Sequence, residues 1–219
     1  MDYQNNVCVT SSNDLDRTMN NIPQHHDEPM LFNGIGILSF ATATLLLGIS
    51  IWNGYNNGFL LTIFGFFIGG LGQLISGIYC YKNKYYIDGT CYFYFTLNWS
   101  ITACYDIFPR LGWIEPLESI EYGFHNLMGC FFTLIFFLQN LGSPSYITRV
   151  SYSTTFLGFI FSTIGNFVES DAVLKIGGTL NIITAVLAYY CGLAMTINGR
   201  YKKVYLPVID GKQFGQKLD

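Results

Sequence analysis

A stretch of 53 residues between Glu28 and Lys82 contains no Asp, Glu, Lys or Arg, and it constrains this chain more than any other feature. A helix needs about 20 apolar residues to cross the hydrocarbon core of a bilayer, so the stretch holds two crossings. Charged residues make up only 11% of the whole chain, whereas soluble domains contain about 25%. The pattern therefore predicts a membrane protein rather than a soluble helical protein.

Uncharged intervals of membrane-crossing length also follow Lys82, at 89–105, 122–148, 150–168 and 176–199. The alternating ten-residue segments that are typical of a β-barrel are absent from the sequence. We therefore predict an all-α integral membrane protein with six transmembrane helices. Their expected ranges are 32–53, 59–80, 89–108, 122–141, 147–168 and 175–197.

The basic residues predict the orientation of these helices. Six crossings place both termini and the loops after the second and fourth helices on one side of the membrane. Nine of the eleven basic residues fall on that side: Arg17, Lys82, Lys84, Arg149, Arg200, Lys202, Lys203, Lys212 and Lys217. Because basic residues concentrate in cytoplasmic loops, both termini are predicted to be cytoplasmic.

The chain divides by composition into three parts. Residues 1–28 are expected to form a flexible cytoplasmic tail, residues 29–199 the six-helix transmembrane domain, and residues 200–219 a basic cytoplasmic tail. The first part lacks the apolar core of a secretory signal, so the first span is expected to act as the insertion signal. His25 and His26 are metal-ligand types, but a flexible tail gives them no fixed geometry. We predict no metal site and no cofactor.

The segment from Gly65 to Trp99 contains the most informative motif. Its first half, GFFIGGLGQLISG, spaces small residues so that two membrane helices can approach closely. A single amide, Gln73, interrupts this apolar run and must find a partner or face a wet path.

This segment resembles the signature of the acetate uptake transporter family, which includes yeast and bacterial acetate and succinate permeases. The matching positions are Gly69, Gly70, Gln73, Gly77, Tyr81, Thr90 and Trp99, and Asn198, Leu206 and Pro207 match near the other end. The resemblance covers about residues 33 to 208. It implies a transporter of small monocarboxylates, acetate first and succinate or related acids as alternatives, with a path through each protomer of a homohexamer.

Two departures from the family pattern concern function. Relatives begin their first helix with N-P-A-P-L-G-L, whereas this chain has NGIGILS, which keeps Asn33 but replaces both prolines with glycine. Cys80 stands where the family pattern has a glutamate, which leaves proton coupling open. Asn33 has two interpretations: it faces an aqueous vestibule, or it caps the start of the helix.

The resemblance also implies a hydrophobic constriction. Its positions here are Phe95, Phe40 (with Thr42 as the alternative register) and the segment 155–157, of which Thr155 is the chosen residue. An apolar waist excludes hydrated ions and admits a small species that carries a methyl group. The alternative is that these residues only pack together.

Uncharged amides provide the predicted substrate pathway, at Asn33, Gln73, Asn98 and Asn166. Two titratable residues, Asp106 and His125, are candidates for proton handling, because ionisable groups in a membrane usually serve a pathway. Both lie near helix ends, so an interfacial role is the alternative.

Other classes of function find little support in the sequence. The six cysteines show no paired spacing, and no zinc, phosphate-loop or hydrolase motif is present, so we predict that the chain is not an enzyme. The net charge of −3 argues against a nucleic-acid partner. The expected partners are a carboxylate, the lipid bilayer and copies of the chain. The plasma membrane is the expected location, with an organelle membrane as the alternative.

Three functions remain open from the sequence. The first is monocarboxylate transport, either channel-like or proton-coupled. The second is a channel for a small neutral solute such as ammonia, urea or water. The third is a membrane scaffold or sensor that transports nothing.

Overall fold

The computed structural model describes residues 29–54, 59–141, 145–201 and 203–207, and all regular structure in these ranges is helical. Six long helices follow one another: α1 Pro29–Trp52, α2 Leu60–Lys82, α3 Tyr86–Arg110, α4 Ser119–Asn140, α5 Tyr146–Phe167 and α6 Asp171–Tyr201. The prediction of six helices is therefore confirmed, and each predicted helix end lies within four residues of the observed one.

Four of these helices are long and apolar enough to cross a membrane: α2, α4, α6 and the Asn33–Trp52 part of α1. The other two, α3 and α5, have 25 and 22 residues but contain more hydroxyl and amide side chains. Those polar side chains are largely turned inward, as with Asn98 and Ser162, while Leu97 and Ile164 are exposed. Helices α3 and α5 are thus polar inside the bundle and apolar outside, as expected for helices that line a path through lipid.

Helix α1 packs closely along α6, and glycines bring the two backbones together. A Cβ atom on Gly34 would lie 2.6 Å from Oγ1 of Thr196, and one on Gly48 would lie 2.7 Å from the carbonyl oxygen of Gly178. Gly34 is one of the two glycines that replace the family's prolines. Its lack of a side chain therefore has a packing function here, because any Cβ atom would push α1 away from α6.

Helix α2 contains a π-helical segment, Gly65–Gly72, between two α-helical parts. This wider winding presents Gly69 to α1 and α3, where an added Cβ atom would lie 2.8 Å from both Ala43 Cβ and Trp99 Cγ. Gln73 begins the α-helical turn that follows and is completely buried. Segments of π-helix often accompany functional sites, and this one packs against Trp99 of α3 and leads directly into Gln73.

The segment after α6 folds back onto that helix through Asn198. Its Oδ1 atom accepts hydrogen bonds from the backbone N–H groups of Tyr205 at 2.8 Å and Leu206 at 3.1 Å, and its Nδ2 atom donates to the Leu206 carbonyl at 2.7 Å. The predicted tail 1–28, with its two histidines, lies outside the described residues, as does 208–219. The proposed division into tails and domain stays a prediction.

Candidate functional site

Two cavities lie end to end inside the helix bundle. The first has a volume of about 270 Å³ and is lined by residues that include Thr62, Trp99 and Arg110; we call it the Arg110 cavity. The second has a volume of about 250 Å³ and is lined by residues that include Gln73 and Asp88; we call it the Asp88 cavity. Each volume is ample for a small carboxylate and several waters.

The two cavities share three wall residues: Phe40, Phe95 and Thr155. The ring centroids of Phe40 and Phe95 lie 4.8 Å apart, and Phe95 is only 4% exposed. The Thr155 hydroxyl donates a 2.8 Å hydrogen bond to the Ser151 carbonyl, which satisfies that hydroxyl within α5. The structure thus brings together the three residues that the sequence assigned to a constriction.

Thr42, the alternative to Phe40, has a different environment. Its hydroxyl lies 2.8 Å from the Tyr189 hydroxyl, and it does not line either cavity. The geometry therefore favours the register that contains Phe40. That the three wall residues restrict the passage of solutes stays a prediction.

The structure divides the four predicted amides among three places. Asn33 and Gln73 line the Asp88 cavity, and Asn98 lines the Arg110 cavity. Asn166 lines neither cavity, and its Nδ2 atom donates a 2.7 Å hydrogen bond to the Ser162 carbonyl one turn earlier in α5. Three of the four amides therefore lie along one line of cavities.

The helix bounds argue against one of the two interpretations of Asn33, the helix cap. Helix α1 begins at Pro29, so Asn33 lies inside the helix and does not cap it. Its side-chain and backbone oxygens both accept hydrogen bonds from the Tyr92 hydroxyl, the backbone one at 3.0 Å. Asn33 is therefore a wall residue of the Asp88 cavity, positioned by α3.

Three buried polar side chains on the cavity walls have no hydrogen-bond partner in the described part of the protein. Gln73 is 0% exposed, and neither its amide nitrogen nor its amide oxygen has a hydrogen-bond partner. The Thr44 hydroxyl and Trp99 Nε1 also have no hydrogen-bond partner. Leaving such a group unpaired in a fold costs about 1–3 kcal/mol. These groups thus keep unused hydrogen-bonding capacity beside the cavities.

Asp106 and His125 both line the Arg110 cavity. One carboxylate oxygen of Asp106 accepts a hydrogen bond from Arg110 Nε at 2.8 Å, and the other accepts one from the Thr62 hydroxyl. His125 packs edge-on against the Tyr105 ring, with 5.2 Å between ring centroids. Asp106 and Arg110 thus form an ion pair on the wall of this cavity, and a role for Asp106 or His125 in proton handling stays a prediction.

The sequence analysis missed Asp88, Tyr92, Tyr152 and Asn181, all of which line a cavity. A detectable signal was the helical period. From Phe95, steps of three or four residues along α3 lead back to Asp88 and forward to Asp106, and all positions on that face line one of the cavities: Asp88, Cys91, Tyr92, Phe95, Asn98, Trp99, Thr102, Tyr105 and Asp106. One face of α3 thus runs through both cavities.

The family of the chain can now be stated. The sequence profile of the GPR1/FUN34/yaaH family matches residues 23–210. The chain belongs to this family. The match confirms the resemblance to acetate transporters that the Gly65–Trp99 segment indicated, and together with the apolar helices it identifies an integral membrane protein.

Individual relatives of known name support the assignment. The chain is 23% identical over 174 residues to the succinate-acetate/proton symporter SatP of Escherichia coli strain K12, covering 80% of this chain and 92% of that protein. It is 29% identical over 167 residues to ammonia transport outward protein 2 of Saccharomyces cerevisiae, covering 71% of this chain and 57% of the yeast protein.

A solved structure of the bacterial acetate channel SatP has the same fold. The TM-score is 0.77 at 20% sequence identity, and the match covers 81% of this chain and 98% of that chain. The helical fold of the described residues is therefore shared with that protein.

Proposed function

We propose that this protein moves acetate, or a related small carboxylate such as succinate, across a membrane and performs no enzymatic reaction. The path consists of the Arg110 cavity, the constriction at Phe40, Phe95 and Thr155, and the Asp88 cavity. The observation that carries the proposal is that two cavities of similar size meet at these three residues inside the bundle. The named functions of the bacterial relatives support it.

The constriction provides selectivity in this proposal. Two aromatic rings offer a hydrated ion no replacement for its water, so the ion meets a high barrier there. The methyl group of acetate can contact the rings, so only its carboxylate end needs hydrogen-bond partners.

The unpaired polar groups suit that polar end. Gln73 on one side of the constriction and Trp99 on the other each offer an N–H donor that the protein leaves free within the described residues. Hydrogen bonds from neutral donors hold a carboxylate weakly, which favours passage over tight binding. The Gln73 amide oxygen also accepts, so it is complementary to a protonated acid as well.

The orientation follows from the basic residues. Lys82 ends α2, Lys84 lies in the α2–α3 loop, and Arg149 lies near the start of α5. We therefore propose that this end of the bundle, which contains the Asp88 cavity, is cytoplasmic. Both termini are then cytoplasmic as well, and the plasma membrane is the proposed location. Exposed apolar residues on α4, such as Phe131 and Ile135, offer surface for lipid or for the neighbouring copies of a homohexamer.

A second candidate function is the passage of ammonia or another small neutral solute. One relative is named for ammonia transport. In addition, Asp88 gives its cavity an acidic side chain, and no Lys or Arg is among the described residues that line it. An acidic mouth attracts ammonium and repels acetate, so this candidate has a physical basis.

Uptake into proteoliposomes distinguishes the two candidates. Purified protein is reconstituted, and uptake of radiolabelled acetate and of radiolabelled methylammonium is measured with and without a pH gradient. We expect saturable acetate uptake that unlabelled acetate inhibits. Uptake of methylammonium alone would refute the acetate proposal in favour of the second candidate, and no uptake of either solute would favour a scaffold or sensor.

A further inference from the structure

Asp88 determines the charge of its cavity. The carboxyl group lies in the first turn of α3, half-buried, and within hydrogen-bonding reach of the Asn33 side chain on α1. All other described residues that line this cavity are neutral polar or apolar. A single ionised carboxylate therefore sets the sign of the electrostatic potential in the cavity.

Asp88 differs in this respect from Asp106, which lies on the same helix face at the other end of the path. Asp106 is paired with Arg110 at 2.8 Å. Among the residues that the structure describes, no basic side chain lies within 4.0 Å of the Asp88 carboxylate. The basic residues nearest to it in sequence, Lys82 and Lys84, are exposed to solvent.

The other titratable groups around Asp88 do not compensate its charge. The described part of α1 contributes none, and the remaining helices around the cavity contribute thiols and phenols: Cys80 on α2, Cys91 and Tyr92 on α3, Tyr152 on α5 and Cys191 on α6. Thiols and phenols are uncharged near pH 7, because their ordinary pKa values are about 8.5 and about 10. Protonation of Asp88 thus removes the only charge on the described cavity wall.

We propose that Asp88 is a proton-controlled selectivity residue for the carboxylate path, an inference that rests on the proposed function. When ionised, Asp88 repels carboxylate anions and lowers their concentration at the mouth of the path. When protonated, Asp88 is neutral, and the anion enters without this repulsion. Protonation of Asp88 therefore raises the permeability of the path to carboxylate anions.

The size of the effect follows from the helix geometry. Phe95 lies seven positions after Asp88, which corresponds to roughly 10 Å along the helix axis. For a unit charge at roughly that distance, with an effective dielectric constant of about 40, Coulomb's law gives about a fourfold reduction in anion concentration at the constriction. Removal of the charge should raise the anion flux by the same factor.

The first experiment measures acetate current through the full-length protein in planar bilayers, since only the anion carries current. Near neutral pH, Asp88→Asn should carry about four times the wild-type current, and its current should change less on acidification. Asp88→Glu should resemble the wild type. Glu115→Gln is the matched control, because it removes one negative charge from the exposed α3–α4 loop, outside both cavities.

A second experiment measures the potential without requiring transport. Ser151 lines the Asp88 cavity from α5, and Ser151→Cys introduces a thiol there. Cationic and anionic methanethiosulfonate reagents of similar size are compared, with modification of residue 151 quantified by peptide mass spectrometry. In the Ser151→Cys background, Asp88→Asn should lower the ratio of cationic to anionic reaction rates several-fold, because loss of the negative charge slows the cationic reagent and speeds the anionic one.

The outcomes separate this inference from the proposed function. An unchanged ratio of reaction rates in Asp88→Asn, or an unchanged acetate current in a protein that conducts acetate, would overturn the role of Asp88. A lowered ratio in a protein whose variants all fail to move acetate would support the charge assignment and refute the acetate path.

Discussion

Gly69 and Gly70 provide a matched test of how α2 packs, because the two neighbouring glycines meet different surroundings. A Cβ atom on Gly69 would lie 2.8 Å from Trp99 Cγ and 2.8 Å from Ala43 Cβ. Favourable carbon contacts lie at about 3.5–4.0 Å, so the methyl group of Gly69→Ala overlaps its neighbours by about 0.7 Å or more. The nearest atom to a Cβ atom on Gly70 is Ser100 Oγ at 3.3 Å, on a small side chain that can rotate.

The expected cost follows from this overlap. Overpacking of a filled interior costs about 1–3 kcal/mol, and both variants gain the same helix propensity of about 1 kcal/mol from replacing glycine. Gly69→Ala should therefore be about 2 kcal/mol less stable than Gly70→Ala. At about 2–4 °C per kcal/mol for a chain of this size, the melting temperatures should differ by about 4–8 °C.

Thermal unfolding in detergent micelles or lipid nanodiscs, followed by tryptophan fluorescence, measures the difference directly. Because Trp99 is the neighbour that must move, Gly69→Ala should also shift the emission of the folded protein, whereas Gly70→Ala should not. Equal melting temperatures for the two variants would refute the packing of Gly69 against Trp99 and, with it, the π-helical register of Gly65–Gly72.

Three further predictions concern individual side chains. Gln73→Leu should raise the free energy of unfolding by about 1–3 kcal/mol, because it removes unpaired buried polar atoms. The same variant should lower acetate uptake about tenfold, and uptake equal to the wild type would exclude Gln73 from the path. Phe95→Ala should merge the two cavities. In competition assays, the variant should show a weaker preference for acetate over larger or more strongly hydrated anions. An unchanged selectivity would show that Phe95 only packs. Asn198→Ala removes three hydrogen bonds to Tyr205 and Leu206. The chain after α6 should then become sensitive to limited proteolysis, while acetate uptake is retained. Wild-type protease resistance would contradict the assigned contact.

The sequence allowed the helices to be predicted because the cost of burying charge in lipid is large and acts at every position. Charge is therefore excluded over whole intervals, and the ends of those intervals lie close to the ends of the helices. The π-helical segment has no such signal: GFFIGGLG is compatible with an ordinary α-helix. Its winding depends on contacts with α1 and α3 that only the folded bundle provides.

The site was partly predictable for a related reason. Phe40, Phe95 and Thr155 were chosen by resemblance, and a shared fold brings the corresponding positions together. Asn166 was chosen as an uncharged amide on the polar side of α5, and this choice does not determine which carbonyl the amide contacts. In the structure, its Nδ2 atom donates a hydrogen bond to the Ser162 carbonyl. Asp88 was overlooked because it lies just outside an uncharged interval, where a carboxylate usually contacts water.

The two ends of the proposed path differ in their electrostatics, and this asymmetry has a consequence for transport. At one end Asp106 is neutralised by Arg110, so an approaching anion meets no net repulsion. At the other end Asp88 has no such partner among the described residues, so an anion meets a negative charge before the constriction. A barrier at one end of a narrow path slows the entry of anions from that end more than from the other. Acetate current near neutral pH should therefore rectify, with anions flowing more easily from the Arg110 end. Acidification of the solution at the Asp88 end, or Asp88→Asn, should make the current symmetric, whereas acidification at the Arg110 end alone should leave the rectification in place.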